Sequence, residues 1–183
     1  MMKISRMKAL KVLLLLALFP SCDSTLHHQP EPKGVSVLEN GQKLNGMTGL
    51  EAKFTGTTAP GNAVTISFSA GFDPNVNAFD DEYGLEFFLT FPEAGMLRAG
   101  STIDLSLVTG LTGSFEKTCF CGEPPRYSTV SSGTLTIDEV STSAIKGSLK
   151  ATFALVDRLS GSIDMAGTSY ELSIGAFSAE KQQ

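Results

Sequence analysis

Period-two alternation of apolar and polar residues constrains this chain more than any other feature. From Val35 onward, short alternating runs are separated by Gly, Pro, Asn and Asp. In the run LEFFLTF, Leu85 to Phe91, every second residue is a large apolar one, and a proline follows. Because side chains of a β-strand point alternately to its two faces, this pattern predicts strands with one buried face.

The same alternation recurs along the chain. Its apolar sets are Val64, Ile66 and Phe68; Ile103, Leu105 and Leu107; and Ile145, Leu149, Ala151, Phe153 and Leu155. No window beyond the N-terminal segment shows a helical period. The sequence therefore predicts an all-β domain, an antiparallel β-sandwich of about eight to ten strands, with a small barrel as the alternative.

A short repeat marks the second half of the chain. A glycine, a hydroxyl residue and then alternating residues begin at Gly113, Gly133, Gly147 and Gly161. Each separation is about one strand plus one turn, so we interpret the repeats as successive antiparallel strands of a meander. A glycine-marked solenoid, the alternative, would need a more regular period.

The first 21 residues have the pattern of a secretory signal peptide. Four basic residues precede an apolar run from Val12 to Phe19, and Pro20 and Ser21 follow it. A basic start, a short apolar stretch and a small residue before the cut are typical of such signals. The run is too short to span a bilayer, which takes about 20 apolar residues. We therefore predict a signal peptide over residues 1–21 and no transmembrane helix.

The end of this segment, Leu18-Phe19-Pro20-Ser21-Cys22, resembles the lipobox of bacterial lipoprotein precursors. The strict motif prefers leucine where this chain has Phe19 and a small residue where it has Pro20. The resemblance implies a diacylglyceryl group on the Cys22 thiol, cleavage just before Cys22, and acylation of the new amine. Two or more acyl chains give stable membrane anchoring. The alternative is an ordinary secreted protein, cut nearby, with Cys22 left free.

Residues 22–34 are predicted to be the lipidated cysteine and a flexible tether. They are polar and include Pro30 and Pro32, a composition that buries too little apolar surface to order itself. We interpret His27 and His28 as solvated tether residues rather than metal ligands. Residues 35–183 are then a single β-sandwich domain, long enough for one hydrophobic core.

The charge of the processed chain restricts its partners. The whole chain has 14 basic and 19 acidic residues, and residues 1–21 contain four of the basic and none of the acidic ones. Ten basic residues then remain against 19 acidic ones, a formal charge of −9. Such an acidic body argues against nucleic acid as a partner and suits a solvated envelope protein.

The densest polar stretch is FDPNVNAFDDEYG, Phe72 to Gly84. It supplies the oxygen ligands that Ca²⁺ prefers at Asp73, Asn75, Asn77, Asp80, Asp81 and Glu82. The spacing departs from an EF-hand loop, because Ala78 and Gly84 stand where a glycine and a bidentate glutamate are required. Asp and Asn also favour exposed turns. The two interpretations are a calcium ion that stiffens this loop and a solvated loop without an ion.

Cys119 and Cys121 are separated by one residue, so a strand would place both thiols on one face. An exported chain meets an oxidising compartment, where paired cysteines form disulfides. A bridge across one residue needs a turn, which Gly122 and the two prolines after it make credible. The alternatives are two reduced thiols packed as small apolar groups, and a metal or redox site, which would need further ligands.

Catalysis and cofactor binding are not predicted. Both histidines lie in the tether, so the domain lacks the commonest general base. Carboxylate pairs that cut glycosidic bonds could be drawn from Asp80, Asp81, Glu82 and Glu86, but such pairs arise by chance in an acidic chain. The aromatic residues near this stretch are Phe72, Phe79, Tyr83 and Phe88. Exposed aromatic patches mark sugar or protein contacts, but for Phe88 we expect packing against a second sheet instead.

The stretch from Ser131 to Phe153, with LRAGSTIDLSL before it, resembles a group of uncharacterised bacterial lipoproteins. That group shares a lipobox and a β-rich domain, and no activity is attached to it. We therefore predict a lipid-anchored envelope protein at the outer membrane, on its periplasmic or surface face, with a non-catalytic binding or structural role. Its partners would be the membrane, through the anchor, and an envelope protein or a glycan. The alternative is a polysaccharide-acting enzyme or a carbohydrate-binding module at the cell surface.

Overall fold

The computed structural model describes residues 33–73, 82–119, 126–155 and 169–182. These residues form ten strands and two short 3-10 helices, Ala94–Met96 and Leu105–Leu107. The strands are β1 (Val35–Glu39), β2 (Gln42–Lys43), β3 (Met47–Gly56), β4 (Val64–Phe72), β5 (Tyr83–Phe91), β6 (Ser101–Asp104), β7 (Thr112–Cys119), β8 (Arg126–Val140), β9 (Ala144–Leu155) and β10 (Ser169–Lys181). The all-β class predicted from the alternation is confirmed.

The ten strands belong to one curled sheet. Pairing runs from β3 through β4, β5, β7, β8 and β9 to β10, and β10 pairs with β3 again, so seven strands form a circuit. The links are antiparallel except the last, which is parallel and aligns Glu180 with Lys53. The curled sheet is consistent with both the predicted sandwich and the small-barrel alternative, and a circuit is how a barrel pairs its strands.

The two longest described strands, β8 and β10, each pair with two different strands in succession along one edge. β10 pairs with β1 over residues 170–174 and with β3 at Glu180 and Lys181. β8 pairs with β7 over residues 126–128 and with β6 over residues 134–137. β2 adds two residues to the free edge of β1. The strands outside the circuit therefore extend its wall rather than form a separate layer.

Aromatic rings from opposite walls meet inside the sheet. Phe87 on β5 lies 4.8 Å from Phe115 on β7 and 5.3 Å from Phe153 on β9, although β5 and β9 are not paired. Phe68 on β4 contacts Phe177 on β10 edge to face at 5.1 Å. Fully burying each such side chain contributes about 1.5–3 kcal/mol. Side chains fill the interior, which leaves the ends and the outer face for contacts with other molecules.

Three of the four alternating runs have the predicted burial. The alternate apolar residues of 64–68 and of 85–91 (Leu85, Phe87, Leu89 and Phe91) are buried, as are those of 145–153, and the side chain of Leu155 lies outside the described part. The prediction that the fourth strand extends to Leu107 is wrong, because β6 ends at Asp104 and Leu107 is 78% exposed. The Asp104 carboxylate accepts hydrogen bonds from the Ser106 amide at 3.0 Å and the Ser106 hydroxyl at 2.6 Å, which starts a 3-10 turn.

The predicted meander is confirmed for β7, β8 and β9, which pair in succession and antiparallel. Two of its repeat glycines lie where neighbouring strands approach closely. A Cβ at Gly133 would overlap the carbonyl oxygen of Lys150, and one at Gly147 would overlap that of Thr136. The register of β8 against β9 shifts near both positions, so these glycines serve bulges in the sheet. Gly161 lies outside the described residues.

Candidate functional site

The topology brings three of the predicted site residues, Asp73, Glu82 and Cys119, to one end of the sheet. This loop end is defined by Glu39, Phe72, Tyr83, Cys119 and Tyr170. In the strand register Phe72 is opposite Tyr83, Tyr83 is opposite Cys119, and Glu39 is opposite Tyr170. Asp73 directly follows Phe72 and Glu82 directly precedes Tyr83, so both lie at this end with Cys119.

A glutamate and two tyrosines join three strands at the loop end. Tyr170, fully buried on β10, stacks on Phe115 with ring centroids 4.1 Å apart and donates its hydroxyl proton to Oε1 of Glu39 at 2.5 Å. Tyr83 on β5 stacks on Phe72 at 4.9 Å. Burial, and secondarily the charge of Glu39, raise the pKa of Tyr83 to about 12. No local sequence pattern indicates this cluster, because Glu39 and Tyr170 are 131 residues apart.

Two of the six calcium candidates fall within the described residues. Asp73 follows β4, and its amide donates to the carbonyl of Gly46 at 2.8 Å. Its carboxylate atom Oδ1 is buried and has no hydrogen-bond partner among the described residues, and Glu82, next to β5, is exposed. The other candidates, Asn75, Asn77, Asp80 and Asp81, lie outside the described residues. Within the described ranges no three Asp, Glu, His or Cys side chains form a metal-binding group. The calcium site stays a prediction.

Only one cysteine of the predicted pair lies within the described residues. Cys119 is the last residue of β7, and Cys121 lies outside the described part, as does the lipidation site Cys22. The disulfide, the pair of thiols and the lipid anchor therefore stay predictions. Among the described residues no helix is long and apolar enough to cross a membrane.

A groove of about 440 Å³ crosses the outer face of β3, β4 and β5. Its floor contains Gly49, Gly71 and Gly84, which are opposite one another in the register of the three strands. A Cβ added at Gly49 would meet open space. Glu51 and Glu86 line the groove. The groove exists because three neighbouring strands lack a side chain in the same row.

The second outer feature is a surface that we call the Phe88 face, made of Glu86, Phe88, Ser114 and Glu116. Glu86 on β5 is directly opposite Glu116 on β7, and Phe88 is directly opposite Ser114. All four are half-buried, and Phe88 is not among the apolar residues packed against the core. The described residues place no second sheet over Phe88. The sequence indicated that Phe88 points outward, but it gave no sign that β7 would bring Glu116 beside Glu86.

Comparisons of the chain with protein-family models, with curated proteins and with solved structures find no match.

Proposed function

We propose that this chain is a lipid-anchored protein of the bacterial cell envelope, whose β-domain has a non-catalytic binding or structural role. The observation that carries the proposal is the run from Leu18 to Cys22, which places a cysteine directly after a basic and then apolar segment. Acyl chains on Cys22 would hold the protein at a membrane surface. The acidic charge of the processed chain, −9, suits a domain that stands in solvent beside that surface.

The direction of β1 supports an arrangement in which the loop end is remote from the anchor. β1 ends at the loop end, where Glu39 is opposite Tyr170. Towards its start, β1 runs away from the loop end, and the carbonyl of Gly34 accepts a hydrogen bond from the Gly175 amide at 2.7 Å, halfway along β10. The chain that precedes β1 joins the wall on that side. Loops that carry function are commonly held away from the attachment point by a rigid scaffold, as this arrangement provides.

The test is expression of the full chain in a bacterial host that is fed an alkyne-labelled fatty acid. We expect label on the wild-type protein and an intact mass that fits a diacylglyceryl cysteine with an acylated amine. The Cys22→Ser variant should lose both, whereas Cys119→Ser and Cys121→Ser, the matched cysteine controls, should keep the label. A processed wild-type protein that carries no fatty acid and is found in the soluble fraction would overturn the proposal.

A further inference from the structure

We propose that the Phe88 face binds a cationic segment of a partner protein, with a lysine or arginine side chain over the Phe88 ring and its charged head between Glu86 and Glu116. The inference rests on the binding role proposed above and gives that role a location and a partner chemistry.

The strand register sets the geometry of this surface. Directly opposite residues have Cβ atoms about 5 Å apart, and diagonal neighbours are about 7–8 Å apart. Glu86 and Glu116 are directly opposite, and Phe88 is diagonal to Glu116 and two residues beyond Glu86 on the same face. One cation can therefore contact the face of the ring and both carboxylates together. Cations bind to aromatic faces within about 6 Å of the ring centre.

Charge selects a cation over other occupants. Like charges directly opposite on a sheet destabilise it, and Glu86 and Glu116 are both half-buried in that position. Lys53, which lies in the row of Phe88 two strands away, is ion-paired with Glu51 at 2.9 Å. A bound lysine or arginine would offer a positive charge to both carboxylates. A neutral sugar could stack on the ring but would offer the two carboxylates no charge, and an anionic partner would be repelled.

Small residues lie directly opposite Phe88 on both neighbouring strands, Ser67 on β4 and Ser114 on β7. The glycine-floored groove begins beside Glu86 and offers space of about 440 Å³ for the rest of an extended segment. The long side chain of a lysine or arginine has an apolar stem and a charged head, and both parts find complementary groups here.

The experiment measures binding of a fluorescent oligolysine peptide to the full-length protein in neutral detergent at low salt, by fluorescence anisotropy. We expect saturable binding that weakens about tenfold when Glu86→Gln and Glu116→Gln are combined. Phe88→Leu, which keeps the apolar volume, should weaken it about threefold. The matched control combines Asp138→Asn with Glu171→Gln, removes the same charge from exposed sites on β8 and β10, and should leave the affinity unchanged.

Four outcomes would overturn the inference. They are absence of saturable binding, an equal loss in the control pair, a lower melting temperature for the glutamine pair, and preferential binding of a neutral oligosaccharide. The third would show that the carboxylates support the fold. In the fourth case binding would be abolished by Phe88→Leu and kept by the glutamine pair, which indicates a glycan site. The assay does not require acylation of Cys22, so its failure and that of the lipid-anchor test are distinguishable.

Discussion

The hydrogen bond between Tyr170 and Glu39 allows a quantitative test of how β1 is held on the sheet. Tyr170→Phe removes one hydroxyl and keeps the ring that stacks on Phe115 at 4.1 Å. Hydrogen bonds to charged groups contribute about 1.5–3 kcal/mol. Because Glu39 is half-buried, water can partly replace the lost donor. We therefore expect a loss of about 1.5 kcal/mol in the free energy of unfolding, at the low end of that range.

Urea unfolding of the wild type and the variant, followed by circular dichroism, measures this loss. The unfolding midpoint should fall while the dependence on urea stays constant, because the surface exposed on unfolding is unchanged. A double-mutant cycle supplies the control, since on a Glu39→Ala background Tyr170→Phe should cost less than about 0.5 kcal/mol. An equal cost on both backgrounds would refute the assigned contact, and so would a wild-type loss below about 0.5 kcal/mol.

Three further perturbations test other parts of the structure. The pKa of Tyr83 is raised from 10.0 to about 12, so its proton favours the folded state. This stabilisation is complete below pH 10 and disappears as the pH rises through the folded value. It amounts to about 1 kcal/mol after allowance for the partial exposure of the residue. Titration of stability against pH should show that dependence in the wild type and not in Tyr83→Phe. Gly147→Ala should cost about 1–3 kcal/mol in urea unfolding, because its Cβ overlaps the Thr136 carbonyl oxygen, whereas Gly49→Ala should stay within about 0.5 kcal/mol. Phe87→Ala should cost about 3–5 kcal/mol, since the ring is fully buried and contacts two other rings; a loss below about 1 kcal/mol would contradict the filled interior.

The parts of the fold that the sequence predicted are those decided by local burial. Leu85 to Phe91 alternates because one face of β5 is covered by the core, and period two is visible within a single strand. The run from Ile103 to Leu107 has the same period, but the side chain of Asp104 accepts a hydrogen bond from the Ser106 amide, two residues further on, and the strand ends there. A hydrogen bond from one side chain to the backbone thus overrides a correct apolar pattern.

The closure of the sheet could not be predicted from the same pattern. It depends on the parallel contact that aligns Glu180 with Lys53, two residues that are far apart in the sequence. The sequences of β3 and β10 do not indicate that these strands pair with each other, because an amphipathic strand can pair with any other. The composition of the Phe88 face could not be predicted for the same reason. Which strand pairs with β5 decides whether Glu86 lies opposite an acidic or a basic residue.

The position of β1 connects the proposed anchor with the candidate site. If Cys22 carries the lipid, any force on the tether enters the domain through β1, because no other described strand precedes it in the chain. β1 is paired with β10 from Val35 to Glu39, and the Gly34 carbonyl and the Asn40 amide extend the pairing at either end, at 2.7 and 2.9 Å. Its side-chain contact with Tyr170 lies at the loop end, the last part of β1 that such a force would reach. The strand that would carry the load is thereby secured at both of its ends.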